Sequence, residues 1–357
     1  MIIITPTTIG PNSGCDSTSG TAFYNPWKNV IERRALRMVG AYAADGEPTS
    51  RQIKDCDDVL NMMLKEWTAQ GLLWTKVWGT LFLNQGQGQY RMAGGTYNGF
   101  SPCAWSRDPG NTSYIQTSLE EKMLKGASVC LVPKTVSIGA GDYIGIINND
   151  GKIEWFFGKM QETDVEYTVI ALFSDAAMTN VSTITRDASA ANLVYSFPTL
   201  NQAGRPARIT SAVRQLYDPI TTNGVQVSLQ PDGGISRTDY ERLPNKTVQG
   251  KVINYYYDPQ LVYGVLNVWP TPDDPRDKLI LSMERSIEDV LNDTDAFDAP
   301  QEAMGAIAYS LAVELEPEYP LAGSDFQKLM TMAATKKKAL LDYNRGTGPL
   351  QFQLDWH

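Results

Sequence analysis

The hydrophobic period of this chain changes twice, and no other feature limits its fold as strongly. Apolar residues first recur at helical spacing, then alternate from about residue 76, then return to helical spacing after about residue 300. Strand segments bracketed by helical ones predict an α+β fold. In it, N- and C-terminal helices form a helical body, joined to a β-hairpin region and an inserted small β-barrel or sandwich module.

Asn25-Pro26 offers a cap and a first-turn proline. Trp27, Val30, Ile31, Ala35, Met38, Val39 and Tyr42 then lie on one apolar face, with Arg33, Arg34 and Arg37 on the other. ADGEPTS breaks this helix. A second one starts after Thr49 or Ser50, carries Ile53, Cys56, Leu60, Met63 and Trp67, and has Gly71 as its C-terminal cap. The two predict an antiparallel helical hairpin. VWGTLFLNQGQGQYRM predicts a strand pair around Gly86-Gln87-Gly88, and SLEEKMLKG (118–126) a short helix. SVCLVPK, DYIGIINNDGKIEWFFGKM, VEYTVIALFS, STITRD and NLVYSF predict short strands, the second segment being a hairpin turned by Asn-Asp-Gly. Strands follow in 205–218 and 223–231, then a helical turn at 237–245 capped by Thr238. YYYDPQLVYGVLNVWPTP predicts a hairpin turning at Asp258-Pro259 and ended by Pro270 and Pro272, and 277–286 a further strand. Pro300 opens a helix that stops before Pro317, and a last helix runs from about Ser324 to Asn344.

The expected organisation is an N-terminal arm (1–21), a helical hairpin with first strands (22–95), the inserted β-rich module (96–200), a β-hairpin region (201–286), C-terminal helices (287–345) and a C-terminal tail (346–357). Both ends read as arms that order on contact with a partner.

A net charge of −9 argues against a protein whose main task is to wrap nucleic-acid phosphates. No apolar run reaches the roughly 18 residues that cross a bilayer, so no membrane partner is expected. MIIITPTTIGPNSG has no basic leader region, which predicts a chain that is cytosolic when made. The single histidine is His357, so a serine-histidine triad, a cysteine-histidine dyad or a histidine metal site would have to use the last residue. Cys15, Cys56, Cys103 and Cys130 are widely spaced, predicting free and mostly buried thiols. Asp289, Asp293, Asp295 and Asp298 cluster in an acidic loop without the glycine and distal glutamate of an EF-hand, and read as a solvated loop before a helix. SIGAGDYIGI leads into a strand rather than a helix, so it reads as a turn, not a phosphate loop. No catalytic residue, metal site or cofactor is nominated.

The helix pair NVIERRALRMVGAYAADGEPTSRQIKDCDDVLNMMLKEWTAQGLL resembles the start of the head-to-tail adaptor proteins of short-tailed bacteriophages, also called tail accessory factors or packaged-DNA stabilisation proteins. RPARITSAVRQL, the region TDYERLPNKTVQGKVINYYYDPQLVYGVLNVWPTP, and APQEAMGAIAYSLAVELEPEY with its closing Ala- and Lys-rich helix are similar to that family in the same order. The resemblance covers roughly residues 22–92 and 203–345. The module at about 96–200 is longer than the family pattern. The resemblance implies a non-enzymatic virion protein at the head-tail junction, assembled in the host cytoplasm. It would bind under the portal protein as a ring of twelve copies, extend the DNA channel, help retain packaged DNA and offer a platform to tail nozzle or tail fibre proteins. Double-stranded DNA would pass through without specific binding, which an acidic chain favours. Interface candidates are Phe352 and Trp356 in the tail, Arg33, Arg34, Arg37, Lys336, Lys337 and Lys338 on the helices, and Trp74 and Trp78. Two other readings stand beside it. One is a glycan-binding or glycan-hydrolysing tail protein using the aromatics of the β module. The other is a DNA-binding module using the two basic helix faces.

Overall fold

The computed structural model describes residues 27–43, 45–70, 75–93, 101–106, 114–163, 166–199, 202–219, 224–261, 263–285, 287, 289–290, 292, 295, 297, 299 and 301–345. The described residues form a mixed α/β protein with five helices and several antiparallel sheets. The elements are α1 (Lys28–Met38), α2 (Ser50–Ala69), β1 (Thr75–Phe82), β2 (Gln89–Met92), β3 (Cys103–Ser106), β4 (Ile115–Ser118), β5 (Val129–Pro133), β6 (Asp142–Ile147), β7 (Ile153–Thr163) and β8 (Tyr167–Phe173). They continue with β9 (Leu193–Phe197), β10 (Arg208–Gln215), β11 (Gln226–Ser228), α3 (Arg237–Arg242), β12 (Gln249–Gly250), β13 (Asn254–Pro259), β14 (Gly264–Trp269), β15 (Thr271–Pro272), β16 (Lys278–Arg285), α4 (Met304–Glu314) and α5 (Gly323–Arg345).

The chain divides into two compact units, one of Met1–Leu73 with Ile287–His357 and one of Trp74–Ser286. In the first, Ile31, Ala35 and Leu36 of α1, Cys56, Leu60, Leu64 and Trp67 of α2, Ile307 and Leu311 of α4, and Leu329 and Leu340 of α5 share one core. Helix α1 starts at Lys28 with Trp27 at its cap position and no side-chain cap bond. The expected cap Asn25-Pro26 lies outside the described residues. Trp27 and Val30, expected on the apolar face, are exposed, because Lys28 and Glu32 take the places beside Ile31 and Ala35. Helix α2 begins as expected. The Thr49 hydroxyl accepts from Gln52 N–H while Gln52 Oε1 accepts from Thr49 N–H, a capping box that satisfies two otherwise orphaned donors. Its C-cap is Gln70; Gly71 is outside the described residues.

The second unit holds a five-stranded sheet (β11-β10-β16-β1-β3), a three-stranded sheet (β13-β14-β2), a six-stranded sheet (β4-β9-β6-β7-β8-β5) and a two-stranded parallel pair (β12-β15). The six-stranded sheet curls into a half-barrel. Its outer strands approach each other where Glu120 N–H, just after β4, donates to the Leu131 carbonyl of β5. Period-two alternation explains both of its faces. Ile144, Ile146, Ile170, Leu172 and Val194 fill the concave interior, while Tyr143, Phe157, Phe173, Tyr195 and Phe197 form an aromatic layer on the other side with Phe82 of β1. Strands buried on both faces read as unbroken apolar runs, and Leu193–Phe197 is buried at every position.

Several expectations are corrected. β1 and β2 are strands but not partners. β1 lies between β16 and β3, and β2 pairs with β14, because both join sheets whose other strands come from far along the chain. SLEEKMLKG is not a helix; Met123 bridges Ala188 in extended backbone, and this exchange satisfies N–H and C=O groups that a helix would otherwise pair. STITRD is a loop between bridges at Val181 and Ala188 rather than a strand. The cap of α3 is Ser236, whose hydroxyl accepts from Asp239 N–H, and not Thr238. The tyrosine-rich hairpin keeps pairing through Pro259 opposite Gly264, so its turn follows Asp258-Pro259. The β13-β14 ladder ends at Trp269, before Pro270, as expected, while Pro272 lies beyond it in the parallel pair β12-β15 and accepts from Gly86 N–H.

Candidate interaction surfaces

Helix α1 turns its apolar side inward and leaves Arg33, Arg34 and Arg37 exposed. Each guanidinium has a defined neighbour. Arg33 pairs with Glu47 at 2.9 Å, Arg34 lies 5.6 Å from the Tyr309 ring centre, and Arg37 lies 5.6 Å from that of Tyr42. Arg37 also stands in the last turn, where a cation complements the helix dipole. The Tyr42 hydroxyl donates to the Arg33 carbonyl and Gln52 Nε2 to the Ala41 carbonyl, which fixes the connection from α1 to α2. The three arginines, Val30, Ile31 and Met38 line a groove with Met304 and Gly305 from the start of α4.

Gly305 also brings Lys336, from the second basic cluster, to the same place. A β-carbon there would lie 4.0 Å from Cδ of Lys336 on α5. The lysine stem therefore borders the groove, and one residue of the α5 cluster comes beside the arginines of α1. Lys338 is exposed. Lys337 takes a different role, with its ammonium 5.2 Å from the Trp67 ring centre and 3.3 Å from Gln70 Oε1. Trp78 is half-buried in β1. Trp74, Phe352 and Trp356 lie outside the described residues.

Two buried lysines were not nominated from the sequence. Lys28 is 1% exposed, 2.6 Å from Asp57 and 3.9 Å from Glu32. The signal was present: Lys28 and Glu32 share the helical stripe of Ile31 and Ala35, where a charge needs a partner from another helix. Lys278 of β16 is 2% exposed. It donates to the Tyr114 hydroxyl at 2.9 Å and to Gln116 Oε1 at 2.6 Å, and lies over the Tyr114 and Tyr195 rings at 5.0 and 5.5 Å. Burial pushes its ammonium down to about 8, against a smaller upward pull from Asp277. No local pattern marks this site, because its residues come from three distant strand regions.

Of the acidic loop, Asp289 pairs with Lys65 at 2.7 Å and Asp295 accepts from Asn292 N–H at 2.7 Å. Asp293 and Asp298 lie outside the described residues, and no group able to hold a metal occurs among the described ones. SIGAGDYIGI is a turn, with Gly139 N–H donating to the Asp142 carboxylate at 2.8 Å. Cys56, Cys103 and Cys130 are free and buried. Burial pushes the Cys103 and Cys130 thiols up to about 12. No helix among the described residues is long and apolar enough to cross a membrane. No family model matches this sequence, and no curated protein matches it.

Proposed function

We propose that this chain is a structural head-to-tail adaptor of a short-tailed bacteriophage virion, without catalytic activity. It would bind under the portal as a ring, extend the DNA channel, help retain packaged DNA and receive tail nozzle or fibre proteins. The ordered motifs of the sequence motivate this reading. The observation that carries it is that helices from before and after the strands share one core, with α1 and α4 lining a cationic groove, while the strands between them form a separate unit. A subunit of a head-to-tail ring needs two different complementary faces on a rigid body, and a helical unit closed by both ends of the chain supplies a body of that kind. The finer arrangement of helical body, hairpin region and inserted module belongs to this proposal. So does location in the virion.

The aromatics of the β module give the glycan reading little support. Phe82, Tyr143, Phe157, Tyr195 and Phe197 are buried against one another, with ring centres 4.6 Å apart for Phe82 and Tyr195. Mixing the purified protein with its portal and measuring mass tests the adaptor reading. A portal carrying about twelve copies, the figure implied by the family resemblance, is expected. Protein that stays monomeric with portal across a range of salt would reject it.

A further inference from the structure

We propose that the arginine groove receives the outer face of α2 from a second copy of this chain, making a head-to-tail contact. This deepens the ring reading above and rests on it. The groove combines a cationic rim with apolar side chains. Arg33, Arg34 and Arg37 stand along one helix and Lys336 borders Gly305, while Val30, Met38 and Met304 supply the apolar lining. Val30 is 45% exposed in the single chain. A fitting partner combines carboxylates with an exposed apolar side chain.

Helix α2 has that pattern. Asp58, Met62 and Glu66 recur at every fourth residue, so they lie nearly in line along the helix surface. All three are exposed, and Met62 is 65% exposed. The opposite side of α2 is already used, since Cys56, Leu60, Met63, Leu64 and Trp67 are buried in the core of their own unit. Lys65, adjacent to Glu66, has its charge engaged by Asp289 at 2.7 Å. In the proposed contact Met62 enters the groove, and its unbranched thioether adapts to an irregular apolar surface. Asp58 and Glu66 then face the rim cations left without a carboxylate among the described residues of their own chain, Arg34, Arg37 and Lys336, with Lys54, one turn earlier, outside the rim. Groove and stripe share no residue, and in the proposed contact each copy offers its groove to one neighbour and its stripe to another, so the contact propagates from copy to copy until the rotation closes.

Cross-linking tests this with the full chain. In a Cys15→Ser background, Val30→Cys and Met62→Cys are introduced singly and together, and a short bismaleimide is added at high protein concentration. Cys56, Cys103 and Cys130 are buried and should not react. The double variant should give a ladder of trimers and longer species. Either single variant should stay monomeric, and the two mixed should give one heterodimer and nothing longer. Absence of a ladder would overturn the contact, as would dimers from one single-cysteine variant alone. Adding Arg34→Glu with Arg37→Glu should abolish the ladder, and further adding Asp58→Arg with Glu66→Arg should restore it. A ladder that survives reversal of one side only would count against the proposal. So would binding of duplex DNA that falls steeply with salt and is lost in the arginine variant, since phosphates would then be the groove's ligand. Portal mass measurements separate the two ideas. A normal ring of the arginine variant on the portal keeps the adaptor reading and removes this contact. A ladder from protein that does not bind the portal keeps the contact and removes the adaptor reading.

Discussion

Lys278 is held between opposing effects. Tyr114, Gln116 and two aromatic faces favour its ammonium, yet burial outweighs them and brings its titration down to about 8. An unfolded lysine titrates at about 10.4, so between about 8 and 10 this residue binds more protons in the unfolded chain, and its own contribution to stability should rise with pH. Buried thiols and phenols act in the opposite sense. Burial pushes the Cys103 and Cys130 thiols and the Tyr114 hydroxyl up to about 12, so the folded state keeps protons that the unfolded chain releases as pH rises. Urea midpoints of Lys278→Met and wild type, taken from pH 7.5 to 11, should therefore both fall as pH rises, with wild type gaining on the variant between about 8 and 10. A difference between the two that does not change with pH would contradict the assignment. Lys28 differs because its compensation is an ion pair with Asp57. Asp57→Ala should destabilise the helical unit by about 2–3 kcal/mol, below the full penalty of an isolated buried charge because Glu32 remains 3.9 Å away. Circular dichroism at 222 nm during urea unfolding measures this.

At the scale of elements, local chemistry predicted existence better than pairing. The capping box of α2, the Asn-Asp-Gly turn with Gly151 at φ +75°, and the limits of β16 and α5 were all legible, because each depends on neighbours in the chain. Pairing was not. Thr75 stands opposite Arg285, and nothing near either residue encodes the other. Met123 and Ala188 show how tertiary bonds override a helical pattern when two extended segments can satisfy each other's backbone groups. The aromatic layer imposes a further demand on β6. Gly145 lies opposite Trp155, and a β-carbon there would be 2.7 Å from its ring. Gly145→Ala should push the indole out of the layer and cost about 1–3 kcal/mol, read as an earlier unfolding transition. A transition unchanged from wild type would show that the ring moves freely.

At the scale of the whole molecule, Trp74–Ser286 is a continuous segment with its own cores, whereas the helical unit is built from segments on both sides of it. A fragment spanning 74–286 should therefore express as a folded β protein with a cooperative melt and dispersed amide resonances. A collapsed spectrum would show that its folding depends on the helices. The alternation of period, the capping residues and the turn residues were enough for the sequence by itself to determine a mixed α/β chain with helical ends, along with buried thiols and exposed arginines on α1. These follow from interactions a few residues long. Only the tertiary structure decided that β1 lies between β16 and β3, that the six-stranded sheet curls with two apolar faces, and that Gly305 joins the arginines to Lys336. Each of these depends on contacts between distant segments, where burial and backbone pairing outweigh local preference.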